Sequence, residues 1–87
     1  MELGRFRKEI DKIDREIVKL LEKRFILVSD LGIYKKKQNL PVYDEAREKE
    51  VLESCRDMLE NKEYSKYIDD IYLQIMKACR FIQGNLK

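Results

Sequence analysis

The sequence predicts an all-α fold with three helices per chain (long, short and medium), assembled as an intertwined helical homodimer. Three observations carry that reading. A heptad seam of apolar residues occupies positions 3–34, the sole proline punctuates the chain shortly after it, and no segment shows the period-two alternation of a strand.

The first helix is expected over about Leu3–Lys37. Apolar residues fall at Leu3, Phe6, Ile10, Ile13, Ile17 and Leu20, then at Leu27, Leu31 and Tyr34. Steps of three and four alternate, so these side chains share one stripe. Position 24 breaks the rule by placing a cation, Arg24, in the stripe. Flanking the seam at multiples of seven are Arg7, Asp14, Leu21, Val28 and Lys35. Roughly 33 residues make a rod of about 50 Å. A compact chain of this length has a diameter of about 30 Å. The rod therefore overhangs any single-chain core with its stripe uncovered, and a second copy is the simplest cover. An obligate dimer is expected.

The segment Lys37-Gln38-Asn39-Leu40-Pro41-Val42 ends that helix, because the residue before a proline is pushed out of the α region. Asp44 then reads as an N-cap or first-turn acid, with Glu45 and Glu48 where acids suit the helix dipole. A second helix is expected over about Asp44–Leu59, burying Val51, Leu52, Cys55, Met58 and Leu59. A polar break at residues 60–64 precedes Ser65, a suitable cap for a third helix reaching about Asn85. Its apolar stripe is Ile68, Ile71, Tyr72, Ile75, Cys79 and Ile82.

Composition narrows the chemistry. Eighty-seven residues make one domain, residues 1–87. Two cysteines and no histidine match no zinc spacing and no histidine triad, so no metal and no cofactor is expected. There is no leader-like apolar region and no 18-residue apolar run, so neither export nor membrane insertion is expected, and free thiols point to the cytoplasm. Nineteen basic and 17 acidic residues leave a net charge of +2, too little for an electrostatic nucleic-acid binder. The charges are uneven: residues 1–40 hold 11 Lys/Arg and 7 Asp/Glu, residues 41–65 hold 4 and 8.

The cations of the first helix carry more than solubility. Arg24 and Lys35 are 11 residues apart, about 20° from a common face and about 16 Å along the axis, so their side chains can converge on one ligand. Arg7 lies about 42 Å from Lys35 on the same rod and cannot join them within one chain. If two copies pair antiparallel about residue 21, Arg7 of one comes level with Lys35 of the other, and a pocket forms from both subunits, twice per dimer. Spacing alone leaves alternatives open. Arg24 also reads as a core arginine paired to an acid, with Arg7 and Lys35 as solubilising edge charges. Asp44, Arg47 and Glu48 also read as a dipole complement, and Gln83 as a glutamine bonded near a helix end.

Together, Arg7-x2-Ile10-x2-Ile13-Asp14, Leu20-Leu21-x2-Arg24, Lys35 and Pro41-Val42-x-Asp44-x2-Arg47-Glu48 resemble the all-helical class of chorismate mutases over about residues 3–86. The resemblance implies a stand-alone protomer that dimerises through its first helix and rearranges chorismate to prephenate in aromatic amino-acid biosynthesis. It also implies roles. Arg7 from the partner chain and Arg24 would each hold a substrate carboxylate. Lys35 would bridge a carboxylate and the ether oxygen, to which Gln83 would give a second hydrogen bond. Glu48 would accept from the ring hydroxyl, with the Asp44 backbone nearby and Arg47 ordering the pocket wall. Cys79 stands where some relatives have a serine, and a thiol is a poorer donor. An isochorismate-pyruvate lyase on the same fold and a non-catalytic helical interaction module are the competing readings.

Overall fold

The structure, a computed structural model, describes residues 2–85. Met1, Leu86 and Lys87, which belong to the expected domain of residues 1–87, lie outside the described residues. The elements in order are α1 (Glu2–Lys37), α2 (Glu45–Met58), a single 3-10 turn (Lys62–Tyr64) and α3 (Ser65–Gly84). The three-helix, all-α expectation holds, and the described residues form no strand.

The 36 residues of α1 span about 54 Å at the helical rise, and the longest extent of the molecule is 55 Å. The helix thus runs unbent from end to end of the protomer. The radius of gyration, 16.0 Å, exceeds the roughly 12 Å of a compact chain of this length. The overhang read from the sequence is real: every α1 residue from Glu2 to Leu20 is exposed.

Which face of α1 packs inward is more telling. The half-buried positions are Leu21, Arg24, Phe25, Val28, Ser29 and Lys35, with Gly32 fully buried among them. Leu21, Val28 and Lys35 belong to the line flanking the seam, not to the seam itself. Of the seam, only Arg24 turns inward; the apolar members from Leu3 to Tyr34 all stay exposed, Leu27 at 68%. One edge of the helix therefore builds the protomer, and the stripe beside it remains uncovered along its whole length.

Asn39 ends α1. It takes the left-handed conformation, φ 55°, which asparagine tolerates better than most residues. Leu40 N–H then donates to Lys35 O at 2.8 Å and Asn39 N–H to Lys36 O at 3.3 Å, the two reversed bonds of a Schellman stop. Pro41 follows and prevents resumption. Asp44 caps α2: its backbone is extended and its carboxylate accepts from Arg47 N–H at 3.0 Å. At the other end, Lys62 Nζ donates to Arg56 O at 2.8 Å and Asp57 O at 3.0 Å, satisfying final carbonyls of α2.

The start of α3 departs from the expected Ser65 cap. Ser65 is already helical, Tyr64 occupies the cap position without a side-chain bond, and the capping falls upstream on Asn61. The Asn61 side chain accepts from Glu63 N–H at 3.0 Å and starts the 3-10 turn that runs directly into α3. Two apolar assignments also shift. Met58, in the last turn of α2, is 74% exposed, and Ile71 lies outside the core face of α3. Met76, next to the expected stripe, is 4% exposed and sits at its centre.

The third helix packs against both α1 and α2 and holds the protomer together. Its apolar and polar faces are the most sharply divided of the three, and its Met76 and Cys79, with Cys55 of α2, are the buried apolar residues of a small core. Both cysteines are free thiols. Burial, with Cys55 beside it, raises the Tyr72 hydroxyl above its ordinary pKa of 10.0. Arg56 Nε lies 3.4 Å from Asp69 Oδ1, a second tie between α2 and α3.

Candidate functional site

The last turns of α1, the cap of α2 and the second half of α3 enclose a cavity of about 290 Å3, near the lower end of ligand-pocket sizes. Its walls bring together Arg24, Lys35, Asp44, Arg47, Glu48, Cys79 and Gln83. These are all the residues singled out in the sequence except Arg7. One charged lining residue was missed there: Arg80. Four cations (Arg24, Lys35, Arg47, Arg80) against two carboxylates (Asp44, Glu48) give the cavity a net charge of 4 − 2 = +2. Val28, Leu31, Val42, Val51 and Met76 supply its apolar floor.

The polar groups are unequally tethered. Arg24 Nη1 donates to Cys79 Sγ at 3.0 Å and pairs with no carboxylate among the described residues, so it is not a core arginine neutralised by an acid. The sulfur is used as acceptor, whereas the sequence pointed to the thiol as a poor donor. Lys35, in the last turn of α1, donates from Nζ to Val42 O at 3.0 Å and so pins the connector to α2 across the cavity rim. That bond uses one of three ammonium hydrogens.

Gln83 is half-buried on the α3 wall. Its Nε2 makes only a long contact, 3.5 Å, to Cys79 O, and its Oε1 is buried with no partner among the described residues. The amide nitrogen retains a second hydrogen for another acceptor.

The first turn of α2 is divided. Asp44 is committed to its cap. Arg47, at the cavity edge, is exposed and pairs with Glu50, one turn on. Glu48 is gripped through both oxygens by Arg80 Nη1 of α3. That bond, and the charge behind it, raises the Arg80 pKa above its already high ordinary value. Arg7 lies on the overhanging half of α1, 28 residues from Lys35 on a straight helix and about 42 Å away. It does not line this cavity within its own chain.

Fold and site together define a class: an all-helical protein with an exposed seam beside a cavity whose walls carry cations, an amide and carboxylates. No group of three potential ligands among His, Cys, Asp and Glu gathers for a metal within the described residues, and no described helix is long and apolar enough to cross a membrane. The chain belongs to the chorismate mutase type II family, which it matches over residues 6–84. It is 37% identical to a bifunctional chorismate mutase/prephenate dehydratase of Aquifex aeolicus, over 99% of this chain and 25% of that protein. It is 31% identical to a chorismate mutase of Methanocaldococcus jannaschii, over 85% of this chain and 75% of that one. Among solved structures, the chorismate mutase (form II) of Thermus thermophilus superposes with a TM-score of 0.93 at 29% identity, covering 100% of this chain and 99% of that one. The chain spans about a quarter of the length of the first curated relatives it matches.

Proposed function

We propose that this chain is an isomerase that rearranges chorismate to prephenate, a step of aromatic amino-acid biosynthesis, as a homodimer with two composite sites. One observation carries the reading: Arg24, Lys35, Glu48 and Gln83, drawn from three helices, line a single cavity with a net charge of +2. Chorismate is a dianion with two carboxylates, an enolpyruvyl ether and a ring hydroxyl. The rearrangement breaks the ether C–O bond and forms a C–C bond within the same molecule, so atoms balance with no co-reactant and no proton transfer. The protein has only to hold the reactive chair-like conformer and stabilise charge on the breaking ether oxygen.

The residues supply those two demands. Arg24 holds one carboxylate from within the chain, and Arg7 of the second protomer holds the other. Lys35 bridges a carboxylate and the ether oxygen, on which the remaining amide hydrogen of Gln83 converges. Glu48 accepts from the ring hydroxyl beside the Asp44 backbone, Arg47 orders the outer wall, and Cys79 keeps Arg24 aimed into the cavity. Family membership and the uncovered seam support the dimer. Residues 1–87 act as one domain in this reading, and two unpaired thiols favour a reducing compartment, the cytoplasm.

The test offers purified protein chorismate and, separately, isochorismate. Prephenate from the first supports the proposal. Salicylate and pyruvate from the second, with chorismate untouched, would make the chain a lyase instead, and inertness toward both would make it an interaction module.

A further inference from the structure

Arg80 occupies the junction of three segments. It stands on α3, three residues before Gln83 and next to Cys79, and lines the cavity. Its Nη1 reaches across to both carboxylate oxygens of Glu48 on α2. Its guanidinium carbon lies 5.3 Å from the centroid of the Tyr43 ring, within cation–π range, and Tyr43 belongs to the connector between α1 and α2. Both members of the ion pair are largely shielded, with side-chain exposures of 34% and 20%. Partial burial and a two-oxygen grip distinguish it from the outward pairs of this chain, such as Arg5–Glu2 and Lys49–Glu45, which join exposed side chains one turn apart.

Glu48 has rotamers to lose. A glutamate on the first turn of a helix can swing to solvent, as the exposed side chain of neighbouring Arg47 illustrates, or fold toward its own helix N-terminus. Neither the cap at Asp44 nor the packing of α2 fixes its carboxylate. Arg80 does, and it does so from the same helix that carries Gln83, so the hydroxyl acceptor and the ether-oxygen donor are referred to one rigid element. A carboxylate in a pocket for a dianion would also repel the ligand, and the paired guanidinium offsets that charge while leaving acceptor lone pairs free.

We propose that Arg80 is a positioning residue: it clasps Glu48 against the cavity wall and sets where the substrate's ring hydroxyl is received, with Tyr43 bracing the clasp from the connector. The inference rests on the mutase reading. Arg80 itself does not touch the reacting atoms; it acts through Glu48.

The test is a double-mutant cycle in steady-state kinetics, using Arg80→Met, Glu48→Gln and the pair, with Arg80→Lys as the conservative variant and thermal melts as the fold control. Arg80→Met is expected to lower kcat/KM about 10-fold or more, with the same division between kcat and KM as Glu48→Gln. The double variant is expected to be no worse than Glu48→Gln alone, because the carboxylate that the charged clasp positions is already gone. Arg80→Lys keeps the charge and should recover part of the loss. Should Arg80→Met fail to fold, Arg80→Lys enters the cycle in its place and must show the same absence of additivity. A wild-type rate in Arg80→Met, or losses that multiply with those of Glu48→Gln, overturns the clasp while leaving the mutase reading intact. Absence of chorismate turnover by the wild-type chain overturns both.

Discussion

Lys35 and Gln83 reach the cavity from different helices with their hydrogen bonds unequally committed. Lys35 already holds Val42 O, and Gln83 is barely held at all. In the mutase reading both donate to the same ether oxygen, and one such donor is worth about 3–4 kcal/mol in a transition state. Lys35→Ala and Gln83→Ala are each expected to reduce kcat by roughly 100- to 1,000-fold, measured by prephenate formation at saturating chorismate. Their stabilities should diverge. Gln83→Met removes a buried oxygen that has no partner among the described residues, so its urea midpoint should equal or exceed that of the wild type while its activity collapses. The pH profile follows from the same residue. An amide has no proton to lose, and the groups with raised values, Tyr72 by burial and Arg80 by its bond to Glu48, move further from neutrality and stay protonated there. Activity should be flat between about pH 6 and 8; a steep fall of kcat inside that window would mean that a titrating group performs the chemistry. Arg80 escaped the sequence reading because a lone arginine late in a helix resembles a solvated charge. Its spacing from Met76 and Gln83, four and three residues, was the available signal, but only packing revealed Glu48 as its target.

Among the elements, α2 serves both the core, through Cys55, and the site, through Asp44 at its cap and Arg47 and Glu48 in its first turn. Asp44 joins the two roles. Asp44→Ala should cost about 0.5–2 kcal/mol in urea unfolding through loss of the cap, and Asp44→Asn, which can still cap, should cost much less. If the two variants proved equally stable, the cap would not be what orders this turn. The helices and the break between α1 and α2 were legible because a seam of period 3.5 and a proline are local signals. The details that were not legible are tertiary or depend on exchangeable neighbours. Met58 follows the apolar period of α2 yet stays exposed in its last turn. The capping of the α2–α3 junction moved to Asn61 because a 3-10 turn intervened, and short turns leave almost no periodic trace. The stop at Asn39 was likewise hidden behind the louder signal of Pro41.

For the whole molecule, the decisive feature is that α1 uses two adjacent faces for two purposes. Leu21, Val28 and Lys35 meet the protomer, while Leu3, Phe6, Ile10, Ile13, Ile17 and Leu20 meet nothing within it. Each such side chain gains roughly 1.5–3 kcal/mol on full burial, so a second copy lying along the seam would be strongly held. Ile13→Asp should lower the molar mass in solution from dimer to monomer and abolish turnover, because the same change that uncovers the seam removes Arg7 from the opposite site. The most direct test of the composite site mixes two inactive variants, Arg7→Ala and Lys35→Ala, by unfolding and refolding them together at equal concentration. Half of the resulting dimers carry one of each, and each of those rebuilds one intact site from the undamaged Arg7 of one chain and the undamaged Lys35 of the other. The account predicts recovery of about a quarter of the wild-type activity. A mixture no more active than the mean of its two parents would show that Arg7 and Lys35 do not meet across the dimer.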